Sequence, residues 1–165
     1  MAAHRVAIDW DGLERALVRR SRESEAFLDT RDGDIVWVTR GWSDDHAFSD
    51  HELDEGLAAR RLVPVLPVPP ETEQGWMRGF ADSLDEGWPR DRLAAALEEP
   101  LPDLRFEDVL GYFPEERVRW VDCRNTRLAA VLRAWLEASG IEPANEPPRR
   151  YVGLVDRDRQ PTPGD

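Results

Sequence analysis

The chain has 165 residues, of which 41% are apolar and 34% charged, a composition that suits one globular domain with a real core. Its formal net charge of −12 comes from 34 acidic and 22 basic residues, so the surface repels polyanions and a nucleic-acid partner is not expected. No apolar run approaches the roughly 20 residues of a membrane span, and acidic residues stand where a signal peptide needs its apolar stretch, so the sequence predicts a cytoplasmic protein without membrane contact.

The first predicted element is a helix from Trp10 to about Arg20. Asp9 stands directly before it and suits the N-cap position. Trp10, Leu13 and Leu17 recur at helical spacing, which predicts one apolar face along this helix.

Residues 26–38 predict a β-hairpin, because two β-rich runs flank Asp32-Gly33, a pair typical of two-residue turns. With that turn, Thr30 faces Ile35, Leu28 faces Trp37 and Phe27 faces Val38. A short helix to about Arg61 follows, capped by Ser49 or Asp50. Residues 62–68 are apolar but contain Pro64 and Pro67, which predicts an edge strand or an extended segment beside the hairpin.

The second half of the chain is predicted to be helical, with helices at about 71–84, 89–98, 105–112 and 124–139 and a short turn near 115–120. Prolines separate these segments, because proline breaks a helix interior. Trp76, Met77 and Phe80 share one face of the first of them, which favours a core position over a binding site. Gly140 suits the end of the last helix.

Together these elements predict one α+β domain over residues 1–143. Its small antiparallel sheet, formed by the hairpin 26–38 and the segment 62–68, is expected to pack on a mostly helical C-terminal half. Residues 144–165 are proline-rich and charged, which predicts a mobile tail with one candidate strand at 151–155.

An ordered set of residues spread over about positions 6–143 resembles a family of small bacterial proteins in the UPF series of uncharacterised protein families. The residues that carry the resemblance are Ile8-Asp9-Trp10-Asp11, Leu28-Asp29, Leu66-Pro67-Val68, Trp76-Met77 with Phe80, Phe106 with Val109 and Leu110, Trp120, Arg127-Leu128, Trp135-Leu136 and Gly140-Ile141. The resemblance implies the same α+β fold. It implies no reaction, cofactor or catalytic residue.

In the acidic segment 44–55, several carboxylates cluster with two histidines, His46 and His51. Because histidine and carboxylate side chains suit zinc or manganese, these residues are the candidate metal ligands. Five residues separate the two histidines, which puts them about 140° apart on a helix. A solvated acidic face is the favoured interpretation, and no metal or cofactor is predicted.

Motifs of nucleophilic catalysis and phosphate binding do not occur in the sequence. Cys123 has no histidine near it in sequence, so a packing role is favoured over a reactive thiol, and a lone cysteine agrees with a reducing compartment. His4 is predicted to lie at the surface.

Two classes of function remain open. The favoured one is a non-catalytic binding or regulatory protein whose acidic surface suits a basic protein partner. Its candidate binding residues are the aromatic side chains of Trp42, Phe48 and Trp88, since exposed aromatic residues are frequent in interfaces. The favoured interpretation of the two tryptophans is that they cover the rim of the core. The alternative is a small enzyme whose site is assembled from residues distant in sequence. The sequence indicates no oligomeric state.

Overall fold

Residues 4–39, 48–151 and 154 are described in the computed structural model. They contain six helices, a three-stranded antiparallel sheet and a two-stranded parallel sheet, which confirms the predicted α+β class and the helical C-terminal half. The chain divides into two compact units, which we call the sheet unit (Met1–Val68 and Arg133–Pro148) and the helical unit (Pro69–Leu132 and Arg149–Asp165). In the part of the chain described, no helix is both long and apolar enough to cross a membrane.

The sheet unit contains all five strands of the described residues. Its elements are β1 (His4–Val6), α1 (Trp10–Val18), β2 (Ser24–Asp29), β3 (Ile35–Thr39), α2 (Asp50–Ala58), β4 (Leu62–Val65) and β5 (Ile141–Pro143). The antiparallel sheet has the order β3-β2-β4, so β4 is an edge strand as predicted. Strands β1 and β5 form the parallel pair, which the sequence analysis did not predict because each has three residues and its partner lies at the other end of the chain.

Local capping starts α1 as predicted. The Asp9 carboxylate accepts a hydrogen bond from the backbone N–H of Gly12 at 3.0 Å, which satisfies one of the free donors at the helix start. Trp10, Leu13 and Leu17 are all buried, so the predicted apolar face is confirmed.

The register of the hairpin differs from the predicted one by two residues. Leu28 pairs with Ile35 and Ala26 pairs with Trp37, so the predicted two-residue turn at Asp32-Gly33 is wrong. The turn is wider, because the Gly33 N–H donates to the Asp29 carbonyl at 2.8 Å. A shift of two residues leaves each side chain on its predicted face of the sheet, which is why the apolar pattern alone could not distinguish the two registers.

Asp29 explains why the ladder ends early. Asp29 is 3% exposed, and its carboxylate accepts hydrogen bonds from the Arg61 guanidinium at 2.8 and 3.1 Å and from the Arg31 backbone N–H at 3.0 Å. The Thr30 N–H donates to the Arg61 carbonyl at 2.8 Å instead of to β3. Asp29 and Arg61 therefore join the end of β2 to the residue that precedes β4.

The helical unit holds four helices, each of which begins beside a proline. They are α3 (Pro70–Ser83), α4 (Trp88–Ala96), α5 (Pro102–Leu110) and α6 (Pro114–Ser139), whose last residues belong to the sheet unit. A proline fits the first turn of a helix because its missing N–H would lack a partner there anyway.

The predicted turn near 115–120 and the separate helix 124–139 are wrong, because α6 is one helix of 26 residues. Glu115 and Glu116 lie in its first turn, where negative charge suits the helix dipole. Neither proline nor glycine occurs between Glu115 and Ser139, so nothing in the sequence interrupts the helix. Gly140 follows it with φ 66°, a conformation that glycine adopts readily, and ends the helix as predicted.

Three aromatic rings form the centre of the helical unit. Phe106 lies 5.2 Å from Trp120 and 6.5 Å from Phe80, centroid to centroid, with the rings close to perpendicular in both pairs. Phe80 and Trp120 are 5.4 Å apart. Met77 and Phe80 are buried in this cluster and Trp76 packs against it, so the aromatic face of α3 is core, as predicted.

We expect Phe80→Ala to lower the free energy of unfolding by about 3–5 kcal/mol, because it removes a ring from a closed aromatic cluster and leaves a cavity. Urea denaturation followed by tryptophan fluorescence measures this loss. Val118→Ala, at an exposed position of α6, is the control and should change the free energy by less than about 0.5 kcal/mol. A loss below about 1 kcal/mol for Phe80→Ala would show that the ring is not enclosed.

The two arginines beside Asp29 should differ in their effect on stability. Arg61→Ala removes the main partner of a buried carboxylate, and we expect a loss of about 3 kcal/mol. Arg31→Ala removes a largely exposed guanidinium 3.4 Å from the same carboxylate and should cost less than about 1 kcal/mol. Equal losses in the two variants, measured by denaturant unfolding, would contradict the assigned role of Arg61.

Candidate functional site

The three aromatic residues proposed for binding differ in their surroundings. Trp42 lies outside the described residues. Phe48 is partly buried and packs against a sheet-unit cluster that includes Phe27, with the Arg61 guanidinium 5.3 Å from its ring centroid. Trp88 is 72% exposed at the start of α4. Among the described candidates, Trp88 is therefore the one with a large aromatic surface open to solvent.

A groove of about 520 Å³ lies between α4 and α5 in the helical unit. Helix α4 contributes Arg92, Ala95 and Ala96, and the turn after it contributes Glu99. Helix α5 and the turn after it contribute Arg105, Asp108, Val109, Gly111 and Tyr112. Four residues of each row follow the spacing i, i+3, i+4, i+7. The first three of each row lie on a helix and form one ridge of its surface, and the fourth, Glu99 or Tyr112, lies just after the helix end.

The apolar residues that line this groove are small. Ala95, Ala96 and Gly111 carry at most one methyl group, and Val109 also packs against the aromatic cluster of the helical unit. Short side chains along facing ridges leave room for a third element to approach closely. Val109 therefore contacts both the core of the helical unit and the groove.

Charged side chains line both sides of the groove. The Arg105 guanidinium and the Glu99 carboxylate form an ion pair at 3.4 Å, so these two charges compensate each other. The Arg92 guanidinium carbon lies 5.4 Å from the Trp88 ring centroid, a cation–π contact that joins Trp88 to the groove. For Asp108, no hydrogen bond or ion pair of the carboxylate is found within residues 4–39 and 48–151.

Tyr112 is the most exposed large side chain of the groove, with 82% of its surface accessible. Two leucines at the start of α5, Leu101 and Leu104, are also exposed. The apolar pattern of the sequence does not reveal these three residues, because they follow no apolar periodicity. Leu101 follows Pro100 and Tyr112 follows Gly111 at helix boundaries, and this position was the available signal that these two residues need not face the core.

The acidic segment is in part explained by helix capping. Ser49 caps α2, and its N–H and hydroxyl donate to the Glu52 carboxylate at 2.8 and 2.9 Å. These two bonds, the backbone one first, hold the pKa of Glu52 below its ordinary value of 4.5. His51 and Glu55 form an exposed contact of 3.3 Å one helical turn apart. Residues 44–47 of this segment lie outside the described part.

Other residues considered for chemistry have structural partners. Cys123 is partly buried and packs against the aromatic cluster of the helical unit. His4 is exposed, and its Nε2 donates to the Thr30 carbonyl at 2.6 Å, which ties β1 to the hairpin turn. Among the described residues, no group of three or more His, Cys, Asp and Glu side chains is arranged to hold a metal ion.

No protein-family model, no curated protein and no solved structure matches this chain. Membership of the bacterial UPF family, indicated by the sequence pattern, therefore stays a prediction. The contacts and charges of the α4–α5 groove are the basis on which a function can be proposed.

The charge of Glu52 should make α2 sensitive to acid. Because its pKa in the folded protein is lowered, the charged form stabilises the fold at pH values above 4.5, and this stabilisation is lost as the pH falls. We expect the free energy of unfolding of wild type to exceed that of Glu52→Gln at pH 7, and the difference to shrink below pH 4.5. Urea titrations across this range measure it. Parallel pH curves for the two proteins would contradict the assignment.

Proposed function

We propose that this protein is a non-catalytic binding or regulatory protein that docks a protein partner in the α4–α5 groove. The observation that carries the proposal is the pair of exposed aromatic side chains, Trp88 at 72% and Tyr112 at 82%, beside a groove lined by small apolar residues. Exposed aromatic side chains that adjoin a concave surface are typical of interaction sites.

The residue types of the groove support protein binding. Tryptophan, tyrosine and arginine are the types enriched among the few residues that dominate binding energy, and Trp88, Tyr112 and Arg92 supply one of each. The stack of Arg92 on Trp88 restrains two long side chains before any partner arrives. Less ordering entropy is then lost when the complex forms.

The openness of the groove favours binding over catalysis. Arg92, Glu99, Arg105 and Asp108 are all exposed to water. Acid–base catalysis uses groups whose pKa is tuned by burial or by neighbouring charges, in a site from which water can be excluded. Nothing in this groove encloses a small substrate, whereas a macromolecular partner could cover it.

Charge supports a basic partner. Residues 69–132 carry 14 acidic side chains and eight arginines, a formal net charge of −6, and the whole chain carries −12. Such a surface attracts positively charged proteins at long range and disfavours nucleic acid. We place the interaction in the cytoplasm, where the Cys123 thiol would stay reduced.

Loss of both aromatic side chains should strongly reduce partner recovery. In a quantitative pull-down at physiological salt, we expect Trp88→Ala/Tyr112→Ala to recover about ten-fold less partner than wild type, since each ring is a candidate hot spot. Leu66→Ala, at an exposed position of the sheet unit, is the matched control and should behave as wild type.

Two results would contradict the proposal. One is equal recovery of every partner by wild type and the double variant. The other is a rise in melting temperature, caused by a small metabolite or metal ion, that is the same in wild type and in the double variant. A ligand that binds the folded state raises its stability, so an equal rise would place the ligand at a site away from Trp88 and Tyr112. That second result would favour the enzyme alternative.

A further inference from the structure

We infer that the occupant of the α4–α5 groove is a short amphipathic helix of a partner protein, with a basic side chain placed against Asp108. This inference rests on the proposed function and adds the conformation and charge of the bound segment. Three observations carry it: the two ridges of equal spacing, the lack of free backbone groups along them, and the charge balance of the groove.

The dimensions of the groove match a helix. From i to i+4 each row rises about 6 Å along its helix, and the fourth residue in the following turn extends the row further. The Glu99–Arg105 ion pair lies next to the connection between α4 and α5, and Arg92 and Tyr112 stand at the far ends of their rows. A helix laid between such ridges packs its own i, i+3, i+4 and i+7 side chains against them.

The backbone of the groove favours a helical occupant over an extended one. An extended peptide binds mainly through hydrogen bonds to a free strand edge. Both walls here are α-helices, whose interior N–H and C=O groups bond within the helix. A bound helix satisfies its own backbone groups in the same way and needs only side-chain contacts.

The charges of the groove favour a basic residue opposite Asp108. Arg105 is compensated by Glu99, and Arg92 stacks on Trp88. The Asp108 carboxylate, one turn before Tyr112, has neither kind of partner in the described part of the chain. An arginine or lysine of the occupant would pair with it, and the surrounding net charge of −6 over residues 69–132 would strengthen the attraction.

Peptide display tests the inference without a known partner. The probe is a mixed library of peptides about 14 residues long, or four helical turns. One half has a helical template with randomised charges and the other half is rich in proline. After selection on wild-type protein, affinities are measured by fluorescence anisotropy against wild type, Trp88→Ala/Tyr112→Ala, Asp108→Arg and, as a charge-matched control, Asp122→Arg on α6.

We expect the selected peptides to be basic amphipathic helices that lose about ten-fold or more in affinity for Asp108→Arg and remain unaffected by Asp122→Arg. Exchanging the critical peptide arginine for glutamate should restore binding to Asp108→Arg, because the swap recreates the ion pair. Circular dichroism of the bound peptide should show helix. Raising the salt concentration should weaken the wild-type complex.

The outcomes separate this inference from the proposed function. Peptides that depend on Trp88 and Tyr112 but are proline-rich, acidic or indifferent to the charge at Asp108 would overturn the inference and leave the groove as the binding site. Peptides that bind wild type and the double aromatic variant equally would overturn both. So would failure to select any peptide that binds wild type.

Discussion

Phe106 packs edge-on against both Phe80 and Trp120, and the arrangement of the helical unit depends on this contact. The three rings belong to α5, α3 and α6, so one aromatic cluster joins three helices that prolines separate in sequence. Each helix alone is too short or too polar to be stable in water, and burial of the shared cluster supplies the stabilisation. The packing of the Phe106 ring between Phe80 and Trp120 therefore sets the position of α5.

The groove is a consequence of the same packing. Leu93 and Leu97 bury one side of α4, while Phe106 and Leu110 bury one side of α5. The neighbouring ridges of both helices then lie at the surface, with Arg92, Ala95, Arg105 and Asp108 exposed and Ala96 buried beside them. Val109 belongs to both surfaces, because it contacts the aromatic cluster and also lines the groove. The core of the unit and its candidate binding surface are therefore two sides of the same pair of helices.

Features determined by neighbouring residues could be predicted from the sequence, and features determined by distant ones could not. The Asp9 cap and the Gly140 stop act within one turn, and both were predicted. The hairpin register depends on Arg61, 32 residues after Asp29, and the pairing of β1 with β5 joins opposite ends of the chain. Trp88 was found as an aromatic outside the apolar pattern, whereas the groove required knowing that α4 and α5 lie side by side.

The rigidity of α4 and α5 suits the groove between them for docking a partner. The α4 and α5 ridges are held by buried leucines and phenylalanine, so their side chains keep a fixed spacing before a partner binds. Trp88 is restrained further by Arg92, and the Glu99–Arg105 pair holds the end near the connection. Most of the ordering cost of association then falls on the partner segment. A segment with high helix propensity would lose the least entropy, which is a second physical reason, besides groove shape, for a helical occupant.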